Sequence, residues 1–168
     1  SPVTLLGECG GSKFENCLFM GNEIHRWASD SGDRSAGMIT AYLKNAGDTC
    51  ELDKVTAAFN YVNSATNAAA GFFFDRGAFT VKNSIVWDNL ANTNRGAVAA
   101  ISVGENATLG ISYSLVGSVT GAAYIREAMP GAITWGEGIL TGDPCFETLR
   151  ETFHAALHAA PADAANGG

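Results

Sequence analysis

The densest group of chemistry-bearing side chains is Asp30-Ser-Gly-Asp33-Arg34, two carboxylates and a guanidinium in one short polar stretch. Such a group could support calcium-assisted cleavage of an acidic polysaccharide. The carboxylate oxygens would hold the hard cation, and the arginine would abstract a proton or clamp an acidic sugar. The plainer alternative is a solvated turn in which Asp caps backbone amides and pairs with Arg, and it carries more weight. Glycoside hydrolysis would instead need two carboxylates roughly 5–10 Å apart across a groove. Asp75 and Asp88 are the best pair for that role, with Arg76 as a substrate clamp. Asp88 nevertheless precedes Asn89 where Gly21 and Ser118 stand in related stretches, which favours a turn. Calcium is the one cofactor these carboxylates admit, and no dedicated metal site is expected. His154 and His158, four apart, would need a third ligand such as Glu151, whereas Leu149, Phe153 and Leu157 read as the apolar face of an end cap. Asp143-Pro144 is a turn. No Gly-x-Ser-x-Gly elbow and no phosphate-cradling glycine loop occurs, and Ser84 and Ser114 read as structural positions in a repeat.

Ligand contact without catalysis has its own candidates. Phe72-Phe73-Phe74 cannot all face inward on a strand, because alternate residues point opposite ways. An outward Phe73, near Trp27 or Trp87, could stack on a sugar ring or meet another chain, with Arg76 beside it; the alternative is that a loop covers the outward ring. Cys9, Cys17, Cys50 and Cys145 form no CxxC pair, so zinc is disfavoured. Disulfides, Cys9–Cys17 being closest in sequence, stand beside a reading of Cys17 as a small apolar residue stacked over Val55 and Ser84.

These residues are positioned by a stretch that recurs. Phe79-Thr-Val-Lys-Asn-Ser-Ile-Val-Trp-Asp-Asn89 alternates apolar and polar residues and closes on a turn, a strand signal. Phe14–Asn22 overlays it with Asn16 on Asn83, Cys17 on Ser84 and Asn22 on Asn89; Leu52–Asn60 and Ile111–Ser118 are weaker copies. Equivalent positions Asn22, Asn60, Asn89 and Val119 recur at a period of about 30–40 residues, which points to a solenoid of short strands. Glycine-led apolar strands precede three of the copies: Ala36–Leu43, Ala70–Gly77 and Gly96–Val103. Stacked in parallel, they would make columns of equivalent side chains. The expected columns are Phe14, Leu52, Phe79 and Leu109, then Leu18, Thr56, Ile85 and Leu115. Asn16 and Asn83 would sit at a bend and satisfy backbone groups there, and Lys54 and Tyr113 interrupt that column.

Composition sets bounds on function. The 168 residues allow one domain, and 46% hydrophobic against 16% charged residues excludes a disordered segment. Twenty glycines and only 4 prolines suit a chain full of tight turns. A net charge of −7 with 10 Lys plus Arg offers no basic face for nucleic acid. No apolar run approaches the roughly 18 residues of a membrane span. The start lacks the charged and apolar regions of a signal peptide, so the chain reads as a processed piece of something longer.

With those repeats in view, the chain resembles a right-handed parallel β-helix of pectate-lyase-like architecture, from about Gly10 to Asn166. Asn83–Asn89, Ile111–Val116 and Gly142-Asp-Pro-Cys-Phe146 resemble the final coils of large exported bacterial β-helix proteins. Phe153–Asn166 resembles a degenerate form of the segment that follows there, with Ala160 and Ala165 in place of its serine and glycine. Phe19-Met-Gly-Asn22 is similar to the repeats of polymorphic outer-membrane autotransporter passengers. The resemblance implies an all-β, single-stranded parallel β-helix with coils over 1–147 and a C-terminal cap or tail over 148–168, in a secreted or cell-surface protein. It implies fold more firmly than activity. The expected role is a structural or adhesive module presenting loops to carbohydrate or to a surface protein. A polysaccharide lyase or glycoside hydrolase, and a self-assembling filament or shell subunit joined through open coil ends, are the alternatives.

Overall fold

The computed structural model describes residues 3–25, 38–63, 69–91, 100–117 and 125–145. Among them the chain is all-β with no helix, and it contains fifteen strands. The first repeat holds β1 (Val3–Gly7), β2 (Ser12–Glu15), β3 (Leu18–Met20) and β4 (Glu23–His25). The second holds β5 (Ile39–Leu43), β6 (Thr49–Asp53), β7 (Thr56–Ala58) and β8 (Tyr61–Asn63). In the third, β9 (Phe72–Lys82) is one long strand followed by β10 (Ile85–Trp87) and β11 (Leu90–Ala91). The fourth has β12 (Ile101–Ser112) and β13 (Leu115–Gly117), and the last has β14 (Ile125–Glu127) and β15 (Ile133–Trp135). The cap expected over 148–168, with its histidines, and the cluster Asp30, Asp33 and Arg34 with Trp27 lie outside the described residues.

Among the described residues every strand pairing is parallel and joins a strand to its counterpart one repeat away. The result is three sheets of eight, four and three strands. The eight-stranded sheet runs β1-β5-β9-β12-β14 through its first half, while β6 pairs with the second half of β9, β15 with that of β12, and β2 with β6. The four-stranded sheet is β13-β10-β7-β3 and the three-stranded sheet is β11-β8-β4. Parallel strands cannot be joined by hairpins, and in each of the first three repeats the chain passes through all three sheets before the next pairing forms.

The column of Leu18, Thr56, Ile85 and Leu115 forms as expected and ends on a bridge to Leu140. The column proposed for Phe14, Leu52, Phe79 and Leu109 needs correcting. Phe14 pairs with Leu52 and Phe79 with Leu109, but Leu52 lies beside Val81 and Cys50 beside Phe79. The real columns are Ser12-Cys50-Phe79-Leu109-Ile133 and Phe14-Leu52-Val81-Ile111-Trp135. A slip of two residues keeps every side chain on its own face, so apolar alternation cannot tell these registers apart.

The register is set by the turns. Asn16, Lys54, Asn83 and Tyr113 all adopt left-handed backbone, with φ of 54°, 56°, 50° and 46°, at the bend from the large sheet to the four-stranded one. Gly21, Phe59 and Asp88 do the same at the next bend, with φ of 62°, 55° and 47°. That conformation costs about 1–2 kcal/mol for a residue other than glycine. It persists because the next residue in each bend is tied to the neighbouring repeat. Ser84 Oγ accepts from the Val55 amide at 3.0 Å and donates to the Lys82 carbonyl, and Ser114 Oγ repeats the arrangement from the Ser84 amide at 3.1 Å.

At the second bend the tie is an asparagine ladder. Asn22 Nδ2 donates to Asn60 Oδ1 at 2.9 Å, and Asn60 Nδ2 donates to Asn89 Oδ1 at 2.7 Å. The same amides reach backbone carbonyls, Asn60 to Phe19 and Asn89 to Ala57. Asn60 and Asn89 are fully buried, so these contacts satisfy groups that water cannot reach.

One core lies between the large and the four-stranded sheets. It gathers Ile39, Leu43, Leu52, Phe72, Phe74, Phe79, Val81, Ile101, Leu109 and Ile111 from the first, with Ala57, Val86 and Val116 from the second. Phe74 and Phe79 stack at 4.1 Å between ring centroids. Phe72 and Phe74 are therefore the inward pair of the triple phenylalanine.

Candidate binding cleft at the first corner

Between the two halves of the large sheet the repeats diverge. β9 and β12 pass through this corner as continuous strands, with a register shift between Val103 and Asn106. In the first two repeats the chain leaves the strand instead, over residues 8–11 and 44–48. The two excursions enclose an open polar cleft of about 380 Å³, lined by Glu8, Lys44, Asn45, Asp48 and Thr49 over a floor of glycines.

The cleft is built from local turn chemistry. Asp48 Oδ2 accepts from the Asn45 amide at 3.0 Å, and the Asp48 amide donates to the Asn45 carbonyl at 3.1 Å. Asn and Asp close such turns because their short side chains mimic backbone groups. Lys44 Nζ forms an ion pair with Glu8 Oε1 across the mouth. The Lys44 amide donates to the Gly7 carbonyl at 2.8 Å, holding the second excursion to the first. Gly10 allows the close approach, since a Cβ there would lie 3.0 Å from Asp48 Cβ.

Two of the sequence candidates reach this corner. Arg76 is exposed and its Nη1 donates to the Lys44 carbonyl at 3.4 Å. Asp75 precedes it and lies against Gly104, where a Cβ would come within 2.8 Å of Asp75 Oδ1. Asp88 lies elsewhere, 1% exposed in the bend between β10 and β11, so Asp75 and Asp88 occupy different turns of one repeat. Phe73 faces away from the core yet is only 6% exposed, with its ring 6.0 Å from that of Tyr42. Trp87, 3% exposed, clusters with Ala58 and Phe59. Glu8, Lys44, Asn45 and Asp48 were not singled out from the sequence. The signal available for them was the pair of turn-forming stretches Gly10-Gly11 and Asn45-Ala-Gly-Asp48.

A second polar array lies on the outer face of β2, β6 and β9. Glu51 bridges Lys82 at 3.1 Å and Lys13 at 3.3 Å, and Asp53 accepts from Asn83 Nδ2 at 2.9 Å. Hydrogen bonds from Lys82 and then Lys13 hold the Glu51 carboxyl below its ordinary range, and the Asn83 hydrogen bond does the same for Asp53. The array's opposite charges pair across neighbouring strands, which suits sheet stabilisation more than ligand capture.

None of Cys9, Cys17, Cys50 and Cys145 is joined in a disulfide. Cys17 packs against the core, in keeping with its reading as a small apolar residue, and burial pushes the Cys50 thiol up to about 11. Among the described residues no three His, Cys, Asp or Glu side chains are grouped to hold a metal, and no helix is long and apolar enough to cross a membrane. Chemically, the first corner offers hydroxyl-recognising side chains of both signs without an aromatic platform. Compared with known proteins, the chain matches no family model, no curated protein and no solved structure.

Proposed function

We propose that this chain is an exported, cell-surface adhesive module, a right-handed single-stranded parallel β-helix whose corner loops hold a hydroxyl-rich carbohydrate. The observation that carries the reading is the cleft of Glu8, Lys44, Asn45 and Asp48, formed by unequal loops on an otherwise regular scaffold. Its volume suits a small saccharide unit rather than an extended polymer. A carboxylate, an amide and an ammonium at its rim can donate to and accept from vicinal hydroxyls. A surface protein partner would use the same loops through a peptide or glycan of like chemistry.

The test is a glycan array probed with the chain, followed by titration calorimetry on the best binder. Lys44→Ala and Asp48→Ala should each weaken binding about tenfold, the loss of one charge-assisted hydrogen bond. Binding that ignores both substitutions sinks the reading. A rival draws on Asp75 and Arg76 beside the cleft, namely cleavage of acidic polysaccharide. Ultraviolet-absorbing unsaturated ends released from a uronate polymer, with Ca²⁺ present, would select it.

A further inference from the structure

Among the described residues, four of the five exposed large apolar side chains (Leu18, Met129, Trp135 and Leu140) lie in the first or last repeat, and the fifth, Tyr113 of the fourth, has its hydroxyl donating to Glu137. Leu18 in the first repeat is 67% exposed, and Trp135 and Leu140 in the last are 53% and 61% exposed. Leu18 and Leu140 are not unrelated. They are opposite ends of one column, Leu18-Thr56-Ile85-Leu115-Leu140, that runs through all five repeats. Phe14 and Trp135 likewise end one column, and Val3 and Ile125 end another. In the middle repeats the second and third of these columns are sealed, with Ile39, Leu52, Phe72, Val81 and Ile101 fully buried, whereas Thr56, Ile85 and Leu115 of the first are half-buried, against 67% and 61% exposure for Leu18 and Leu140 at its ends. Phe14, Val3 and Ile125 at the ends are only partly covered.

We propose that the chain associates head to tail with a second copy of itself, the last repeat of one copy meeting the first repeat of the next in the same parallel register. Leu140 then meets Leu18, Trp135 meets Phe14 and Ile125 meets Val3, so each exposed end residue gains the neighbour its column has everywhere else. The edge amides and carbonyls of β14 and β15 pair with those of β1 and β2, as equivalent strands already pair inside the chain. The contact joins two different surfaces, so it is open-ended. One residue opposes it. Glu127 occupies the last position of the inward column Leu5-Ala41-Phe74-Val103, and it would face Leu5 of the next copy. An inward charge at a sheet edge is a brake on association, so the assembly is weak and concentration-dependent.

Sedimentation of the full 168-residue chain over a concentration series tests this against the 17.4 kDa monomer. The wild type should grow past a dimer without a plateau. Leu18→Asp and Leu140→Asp, both at exposed positions, should each weaken association at least about tenfold by placing a charge in the joint, with far-ultraviolet circular dichroism unchanged. Mixed together, the two variants keep one intact joint between them and should form 1:1 dimers that grow no further. Glu127→Val should tighten association. A wild type that is monomeric throughout overturns the proposal. Association lost in Leu18→Asp but untouched in Leu140→Asp also overturns it, because the joint would then be first repeat to first repeat.

Discussion

Asn60 is the side chain whose loss should reveal most about how the repeats hold their register. Its amide makes four side-chain hydrogen bonds, spanning three repeats. Nδ2 donates to Phe19 O at 2.9 Å and to Asn89 Oδ1 at 2.7 Å. Oδ1 accepts from the Asn22 amide at 3.0 Å and from Asn22 Nδ2 at 2.9 Å. Asn60→Leu keeps the branched heavy-atom shape of the side chain and removes all four. Asn89 Oδ1 retains the Asn60 backbone amide at 3.2 Å, and Asn22 lies at a partly hydrated edge, so neither is wholly orphaned. Phe19 O and the Asn22 donors bear most of the loss. With a net value near 1 kcal/mol for each of the four hydrogen bonds and one or two groups left poorly satisfied, the cost is about 4–6 kcal/mol. That is a large part of the roughly 5–15 kcal/mol that holds a domain of this size. Urea unfolding followed by circular dichroism should show the midpoint falling with little change in slope. Asn22→Leu, at the open end of the ladder, should cost about 1 kcal/mol. Equal costs for the two substitutions, or a cost below about 1 kcal/mol for Asn60→Leu, would refute the ladder as the element that ties the bends together.

Two further outcomes follow from the packing and the charges. Gly117→Ala should destabilise by about 1–3 kcal/mol, because its Cβ would lie 2.5 Å from Trp87 Cζ3; the Trp87 ring must move, and intrinsic fluorescence should report it. The Glu51 and Asp53 carboxyls are both depressed, Glu51 chiefly by Lys82 and Asp53 chiefly by Asn83, from ordinary values of 4.5 and 3.8. Groups with a lowered folded pKa stabilise fully above the unfolded value and lose that contribution as pH falls through the folded one. Melting temperature should therefore drop below about pH 4.5, less steeply in Lys82→Met, and high salt should shrink the difference between the two proteins because the pairs are exposed. A melting curve indifferent to Lys82 across that window would count against the network.

The sequence carried the repeat and its turns because both depend on local chemistry. A residue that must adopt left-handed backbone leaves a mark when it is Asn16, Asn83 or Gly21, and the apolar alternation around it marks the strands. Lys54, Phe59 and Tyr113 leave no such mark. They take the same conformation only because the repeats on either side force it, which is a tertiary effect invisible in one stretch of chain. The buried ladder was also within reach, since Asn22, Asn60 and Asn89 align as equivalent positions. Asn16 and Asn83 are equally plausible structural amides by sequence, because an amide at a bend and an amide inside one look alike until burial is known.

The cleft escaped for a different reason, which bears on how such a chain acquires function. Columns and bends must repeat, because each strand is paired through its backbone with the next and a mismatch would leave polar groups unsatisfied. The first corner is free of that demand: β9 and β12 cross it as strands, whereas residues 8–11 and 44–48 bulge from it, and both arrangements leave the pairings on either side intact. Chemistry can therefore accumulate there without disturbing the stack, and it accumulates by departing from the repeat. Asp48 and Lys44 have no counterparts in β9 or β12, so a search for recurrence passes over them. The same reasoning says where substitutions are tolerated. Changes at Glu8 and Lys44, whose ion pair is exposed, should alter binding while leaving unfolding midpoints nearly unmoved, the reverse of what Asn60 and Gly117 should show.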